Sequence, residues 1–380
     1  MKPLEIYIHI PFCVKKCNYC DFLSAPSTKE ERQEYIESLC KDIRSYGETA
    51  KAYRVISIFV GGGTPSLLEA GQIEEIFCAL RQTFYIEETA EITIEMNPGT
   101  VSQQKLRIYQ KLGINRLSIG LQSVDDEELE MLGRIHTYED FMNTYQLARE
   151  EHFRNINIDL ISAIPGQTVE SWRHTLRTVA KLNPEHISAY SLIIEEGTPF
   201  YEIYGEDSKE RIDREDKDAG KFYNINAKKL PDEDSERQMY QDTKRILTEY
   251  GYHQYEISNY AKRGYECRHN LGYWNRTEYL GIGTGAASLM NHTRWVQGET
   301  PEKLSKKEEM EEYMFLGLRK IEGVSKSIFE TEFVTSMESI YGNVIREMTE
   351  KGLLETKGDF VRLTERGIDV SNYVMSEFLI

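Results

Sequence analysis

Three cysteines crowd into the stretch CVKKCNYC at 13–20, in a chain of 380 residues that has only six. Thiolates at this density are metal ligands or disulfide partners, and the local sequence bears on which. Spaced i, i+4 and i+7, Cys13, Cys17 and Cys20 would line one face of a helix. Pro11 precedes them, however, Lys15, Lys16 and Asn18 lie between them, and turn-forming residues fill Asp21 to Pro26. A loop is expected. A closed zinc site takes four protein ligands with cysteines in pairs, and no second CxxC or CxxH pair exists in the sequence. Three thiolates suit an iron-sulfur cube with one iron left open. Of the other cysteines, Cys40 and Cys78 fall in helical apolar patterns and read as core, and Cys267 is isolated and takes no role.

Other residues are placed to hold a ligand. FVGGGTPS (59–66) follows a strand-like run; it lacks the lysine of a phosphate-binding loop and does not fit GxGxxG. Its glycines let backbone approach a ligand closely and offer carbonyls to an ammonium group, which makes Gly62, Gly63 and Thr64 candidate contacts. GIGTGAAS (281–288) nominally satisfies G-x-G-x-x-A. The strand before it is weak and no apolar helix follows, so it reads as a turn. Glu95, Gln122, Arg134 and Asp159 sit at or near the ends of strand-like runs. Singly, each is as well explained as a satisfied buried polar group; together they would meet at the C-terminal mouth of a barrel. There a carboxylate suits hydroxyls or an ammonium, and an arginine suits a carboxylate.

The elements that must position these residues alternate in type. Strand-like runs at 5–10, 54–60, 91–96, 114–122, 156–163 and 187–194 are separated by amphipathic helical patterns, with Ile36, Leu39, Cys40, Ile43 and Tyr46 on one face of the first and Ile73, Ile76, Phe77 and Leu80 on one face of the second. Six such repeats predict an α/β fold, an incomplete (β/α)6 barrel. The charge-dense YGEDSKERIDREDKDAGKFYN reads as a surface insertion or mobile connection. Beyond it come a helix around 234–250, a strand-like HQYEIS and an aromatic, glycine-rich segment. The end of the chain reads as helix, turn and hairpin, a smaller C-terminal α+β unit of winged-helix type. The expected domains are 1–235 (partial barrel), 236–300 (a segment packed on it) and 301–380.

Composition excludes several classes. With 63 acidic against 46 basic residues the net charge is −17, which disfavours a nucleic-acid partner, including a reading of the C-terminal unit as a redox-sensing DNA-binding module. The apolar runs are far shorter than a transmembrane segment, and the N-terminus does not read as a signal peptide. The cytoplasm is the expected location, where clustered thiols more often bind metal than form disulfides.

The spacing CxxxCxxC, with Tyr19 directly before the third cysteine, resembles the hallmark of the radical SAM superfamily. The runs YIHIPFCVKKCNYCDF, GGGTPS, IEMNP, SIGLQS, NIDLISAIPGQT, LPDED and HNLGYW are similar, in that order, to the oxygen-independent coproporphyrinogen III oxidase family, over at least residues 5–290. The resemblance implies a radical SAM barrel, a [4Fe-4S] cluster on Cys13, Cys17 and Cys20, and S-adenosyl-L-methionine (SAM) held by Tyr7, Tyr19, Gly62, Gly63, Thr64, Glu95, Gln122, Arg134 and Asp159. The family's decarboxylases extend the motif to a fourth cysteine, but Phe22 stands at that position here. The family's heme chaperone branch instead carries HNxxYW, matched by His269, Asn270, Tyr273 and Trp274. That resemblance implies heme as cargo, acceptor hemoproteins as partners, and an electron donor such as flavodoxin or ferredoxin. His269 is then the expected heme ligand, with His9 and His136 as competitors. The alternative it leaves is oxidative decarboxylation of coproporphyrinogen III.

Overall fold

The computed structural model describes residues 1–205 and 228–379; the charge-dense stretch falls, from 206 onward, outside the described residues. Six strands, β1 (Lys2–Ile10), β2 (Tyr53–Gly62), β3 (Ile86–Met96), β4 (Arg116–Gln122), β5 (Ile156–Ser162) and β6 (His186–Ser191), pair in parallel in sequence order. Each strand alternates side chains between two faces. One face carries Leu4, Ile6, Ile8, Ile58, Val60, Ile92, Ile94, Leu117, Ile119, Ile158 and Ile187, all buried in the main core. The other is polar: Glu5, Ser57, Glu91, Arg116, Asn157 and His186 lie one to a strand and line a bore.

Helices cover the apolar face. Helix Lys29–Ser45 starts at a capping box between Thr28 and Glu31 and buries Ile36, Leu39, Cys40 and Ile43. Helix Ala70–Thr83 buries Ile73, Ile76, Phe77 and Leu80. Each such side chain contributes about 1.5–3 kcal/mol relative to exposure. Cys78, expected in that core, is exposed. It follows Phe77 directly and is turned roughly 100° away from the buried stripe.

The sheet continues past both flanks. β7 (His253–Gln254) and β8 (Asn259–Ala261) add antiparallel beside β6. β9 (Tyr279–Ile282) adds parallel beside β1, followed by antiparallel β10 (Ala287–Met290), β11 (Thr293–Val296) and β12 (Glu302–Lys303). The outermost strands, β12 and β7, do not pair with each other, so the barrel is open, as six repeats predict. HQYEIS supplies only the two residues of β7; Glu256, further along it, makes an isolated bridge to Lys320.

The C-terminal unit runs helix Lys306–Gly317, β13 (Val324–Ser325), helices Lys326–Phe333 and Met337–Glu350, then the hairpin β14 (Leu354–Lys357) and β15 (Phe360–Leu363). That is a winged-helix order, and it has its own core around Met314, Phe329, Tyr341 and Phe378. No described helix is long and apolar enough to cross a membrane.

Candidate functional site

The loop that joins β1 to the first helix carries all three clustered cysteines, each partly exposed and free of disulfide. Two backbone hydrogen bonds close its ends: the Cys13 N–H donates to the Ala25 carbonyl and the Ala25 N–H to the Pro11 carbonyl, both at 3.0 Å. Its middle is pinned by Asn18, whose N–H donates to the Leu132 carbonyl at 2.9 Å and whose side-chain amide donates to the Met131 carbonyl at 2.9 Å. An irregular backbone held at this many points keeps its thiols in place without a helix.

The ends of β2, β3 and β4 meet this loop. The Gly63 N–H donates to the Ile10 carbonyl at 2.8 Å and the Thr64 N–H to the Phe12 carbonyl at 2.7 Å. Gly63 is there because a Cβ would sit 2.6 Å from the Phe12 carbonyl oxygen, a backbone atom that cannot give way. Thr64 Oγ1 lies 3.4 Å from Cys13 Sγ and accepts from Asn97 Nδ2 at 2.9 Å. Arg134 spans the site: Nη1 is 3.6 Å from Cys17 Sγ, and Nη2 donates to Asn97 Oδ1 at 2.8 Å and to the Gly120 carbonyl at 2.9 Å. Its Nε is buried with no hydrogen-bond partner among the described residues, a donor left over for a ligand. Tyr19 also contacts Arg134, and burial raises its phenol well above the usual range.

Glu95 and Asp159 lie deeper. The Gly62 N–H donates to Glu95 Oε2 at 3.0 Å. Burial, with repulsion from Asp159, pushes the Glu95 carboxyl up to about 8, so it is neutral at pH 7 unless a cation arrives. Asp159 accepts from Ser118 Oγ at 3.0 Å and Asn157 Nδ2 at 2.8 Å, and burial raises it too. Tyr7 reaches His9 Nδ1 through its hydroxyl at 3.0 Å, and Gln122 adopts a left-handed backbone, φ 75°, at the end of β4.

The structure thus gathers Cys13, Cys17, Tyr19, Gly63, Thr64 and Arg134 on one network, with Gly62, Glu95, Gln122, Asp159 and Tyr7 along the bore below it. Asn97, central to that network, carries no signal in the sequence beyond its place in IEMNP. Among the described residues no three His, Cys, Asp or Glu side chains gather tightly enough to hold a single metal ion. A cube that offers a different iron to each thiolate asks for a wider triangle. Burial pushes the Cys20 thiol up to about 11, with Cys17 and Cys13 adding to the rise and the Phe22 backbone and Lys16 opposing it, so the thiol keeps its proton at pH 7 and its metal-binding thiolate form needs a further positive charge as offset. A cationic inorganic centre would supply the offset. The donor set fits such a group.

The histidines are placed differently. His269 is 1% exposed at the opposite end of the bore, where its Nδ1 is 2.8 Å from Ser57 Oγ and its Nε2 is 3.3 Å from the Tyr273 hydroxyl. Its ring stacks on Phe59, and burial with the nearby Arg116 charge lowers its pKa to about 3. Both ring nitrogens are engaged. His9 Nε2 meets the Leu23 carbonyl at 2.9 Å, and His136 Nε2 the Leu121 carbonyl at 3.2 Å. Cys267, unassigned from sequence, is fully buried, with its thiol 3.5 Å from Glu91 Oε1. The GIGTGAAS turn packs beside the cysteine loop, Thr284 N–H donating to the Tyr35 hydroxyl at 3.2 Å and that hydroxyl donating to the His9 carbonyl at 2.8 Å.

Comparison with known proteins adds the following. The profile of the Radical SAM superfamily matches residues 7–179, and that of the HemN C-terminal domain matches 304–370. The chain is 34% identical to the heme chaperone HemW of Bacillus subtilis, over 98% of each chain. It is 33% identical to the heme chaperone HemW of Escherichia coli, over 100% of this chain and 99% of that one. Its fold is similar to that of the E. coli coproporphyrinogen III oxidase HemN, a radical SAM enzyme, with a TM-score of 0.82 at 23% identity, covering 99% of this chain and 90% of that one.

Proposed function

The chain belongs to the heme chaperone HemW family of the radical SAM superfamily, and from that premise we propose that it carries heme to acceptor hemoproteins in the cytoplasm and binds a [4Fe-4S] cluster through Cys13, Cys17 and Cys20. SAM would occupy the iron that those thiolates leave open. The observation that carries the reading is the thiol loop held against Thr64 and Arg134 at the mouth of the bore. In this reading Arg134 faces the ligand carboxylate, and Gly62, Gly63 and Thr64 face its amine. Glu95, kept neutral by burial, ionises when an ammonium partner arrives. Tyr7, Tyr19, Gln122 and Asp159 complete the walls. When bound, the cluster supplies a single electron at low potential, drawn from a carrier such as flavodoxin or ferredoxin.

His269 enters this reading in a changed role. To reach a heme iron, its helix, Arg268–Trp274, would have to leave the floor of the bore, breaking the contacts to Ser57 and Phe59, and the Tyr273 hydroxyl on the same helix would have to release Nε2. We therefore assign His269 to the floor and heme to a surface outside the bore.

Anaerobic reconstitution followed by heme titration tests both parts. Changing Cys13, Cys17 and Cys20 together to alanine is expected to abolish the iron-sulfur absorbance; an undiminished spectrum ends the cluster reading. His269→Gln is expected to leave heme affinity within about twofold, and loss of the heme spectrum in a folded variant would restore the histidine as a ligand.

A further inference from the structure

The groove between the helices Lys29–Ser45 and Ala70–Thr83 lies on the outer wall of the barrel, apart from the bore and its mouth. It holds a cleft of about 270 Å³, lined by Glu37, Cys40, Lys41 and Arg44 from the first helix and by Glu75 and Cys78 from the second. Two of the chain's six cysteines thus face one cleft from opposite walls. They differ in access: Cys40 is 4% exposed, whereas Cys78 is open to solvent, and both are free thiols. The other lining residues are exposed, two cations against two carboxylates.

The two thiols are close enough to sense each other. Burial raises the Cys40 thiol above its usual value, with Arg44 opposing the rise and Glu75 and Cys78 adding to it. A buried, protonated thiol is slow to start an exchange, and access favours its exposed neighbour. Such a pair divides the work of thiol–disulfide exchange: the open sulfur meets the reagent and the enclosed one displaces it. Alone, Cys40 would be core and Cys78 a surface residue. Across a cleft that admits a small molecule they make a site, and its balanced charges suit a reagent that carries both ammonium and carboxylate groups.

We infer that Cys40 and Cys78 form a thiol–disulfide exchange site whose reagent is a small zwitterionic disulfide, of which oxidised glutathione is the type, and whose product is a disulfide between the two helices. The Cys78 thiolate attacks one sulfur of the reagent, forming a mixed disulfide and releasing one thiol, which carries away the proton that Cys78 gave up. Cys40 then attacks the Cys78 sulfur. The walls of the cleft draw together, the interhelical bond forms, and the second thiol leaves with the Cys40 proton. The two cysteines lose two electrons in all, and the S–S bond of the reagent takes them up. Excess reduced thiol runs the sequence backwards, so the pair is open under reducing conditions and closes under oxidant.

The place of the bond in the chain gives it an effect. Helix Lys29–Ser45 begins just beyond Ala25, which closes the cysteine loop, and helix Ala70–Thr83 begins just beyond the glycine turn and the short 3-10 turn Pro65–Leu67. A bond from Cys40 to Cys78 encloses β2 and that turn in one covalent loop, and it restrains the unfolded chain far more than the folded one. The contact between Cys13 and Thr64 is then held together with the site empty. That consequence rests on the cluster reading above; the exchange site itself does not.

The test uses the full-length protein, reduced and free of cluster, with oxidised glutathione as the probe and peptide mass mapping as the readout. The parent is expected to yield a peptide pair joined from Cys40 to Cys78, lighter by two hydrogens and split again by dithiothreitol, and its urea midpoint is expected to rise by roughly 0.5 M. Cys40→Ser is expected to keep glutathione on Cys78 as a lasting mixed disulfide. Cys78→Ser, a change at an exposed position, is expected to give neither product nor the shift. The variant with Cys13, Cys17 and Cys20 all changed to alanine is expected to form the same link as the parent. Free Cys40 and Cys78 in a parent whose other exposed thiols have reacted would overturn the inference, and so would a glutathione adduct on Cys78 that never passes to Cys40. A link that leaves the urea midpoint unmoved would overturn its stapling effect. A protein that takes up no iron and sulfide yet forms the link would bring down the cluster reading and leave the exchange site standing.

Discussion

Glu5 lies at the floor of the bore, 1% exposed, with its Oε2 lacking a hydrogen-bond partner among the described residues. Burial pushes its carboxyl up to about 9, with the Ser57 hydrogen bond opposing the rise and Glu91 adding to it. The sign of the linkage follows. Below about pH 4.5 both folded and unfolded chains hold the proton. Between that value and about 9 the folded chain keeps a proton that the unfolded chain has released, so stability falls as pH rises. At pH 7 the group costs roughly 3 kcal/mol at most, from about 1.4 kcal/mol per pH unit. Glu5→Gln keeps the shape and removes the titration. Urea unfolding of the cluster-free protein at pH 5 and 8 is expected to show a flatter profile for the variant and a higher midpoint than the parent at pH 8. Parallel profiles would mean that Glu5 is ionised in the folded chain.

Gly272, on the helix Arg268–Trp274, faces Glu5: a Cβ there would come within 2.2 Å of all three atoms of the Glu5 carboxyl. The helix plugs the bore at its closed end. Glu91 accepts its first N–H groups, from Arg268 and His269 at 3.2 Å each, and so satisfies donors that the helix itself leaves open. Gly272→Ala is therefore expected to lift the plug and cost about 1–3 kcal/mol as overpacking, read as a lower urea midpoint and faster hydrogen exchange in β1 and the helix. An unchanged midpoint would show that the floor is soft. The sequence made the parallel strands legible because their polar and apolar residues alternate, as in EITIE, and the helices legible because Ile36, Leu39 and Ile43 repeat at helical spacing. The cysteine loop was legible from Pro11 and its polar insertions. The plug was not: HNLGYW is too short for periodicity, and its partners Glu5, Ser57 and Glu91 are distant in sequence. The same alternation that marked the strands does expose those three as inward-facing polar residues, a signal available at every second position. Asn97 and β8 depend on tertiary contacts that no local pattern records, whereas HQYEIS did mark the place of β7.

On the scale of the molecule, the plug is also where the C-terminal unit attaches. Arg276 follows the plug helix and is 5% exposed as a side chain, with Nε 3.1 Å from Glu312, Nη2 3.3 Å from Glu309 and Nη1 3.1 Å from Glu332. Arg294 on β11 adds a second contact to Glu312 at 2.6 Å, and Arg319 lies over the Trp274 ring at 4.5 Å. One guanidinium serving three carboxylates from two helices uses the planar fork that lysine lacks. Arg276→Ala leaves Glu309 and Glu312, both largely enclosed, without that charge, and breaking such a buried set costs about 3–5 kcal/mol. The loss should fall on the attachment and not on either core, because the barrel and the C-terminal unit bury separate apolar clusters. Hydrogen exchange is expected to rise in helix Lys306–Gly317 and in the plug helix while β2–β5 stay protected, and Arg276→Lys is expected to recover only part of the difference. Uniform loss of protection across β2–β5 as well would show that the two units fold as one, and that the arginine stabilises the whole chain and not a joint within it.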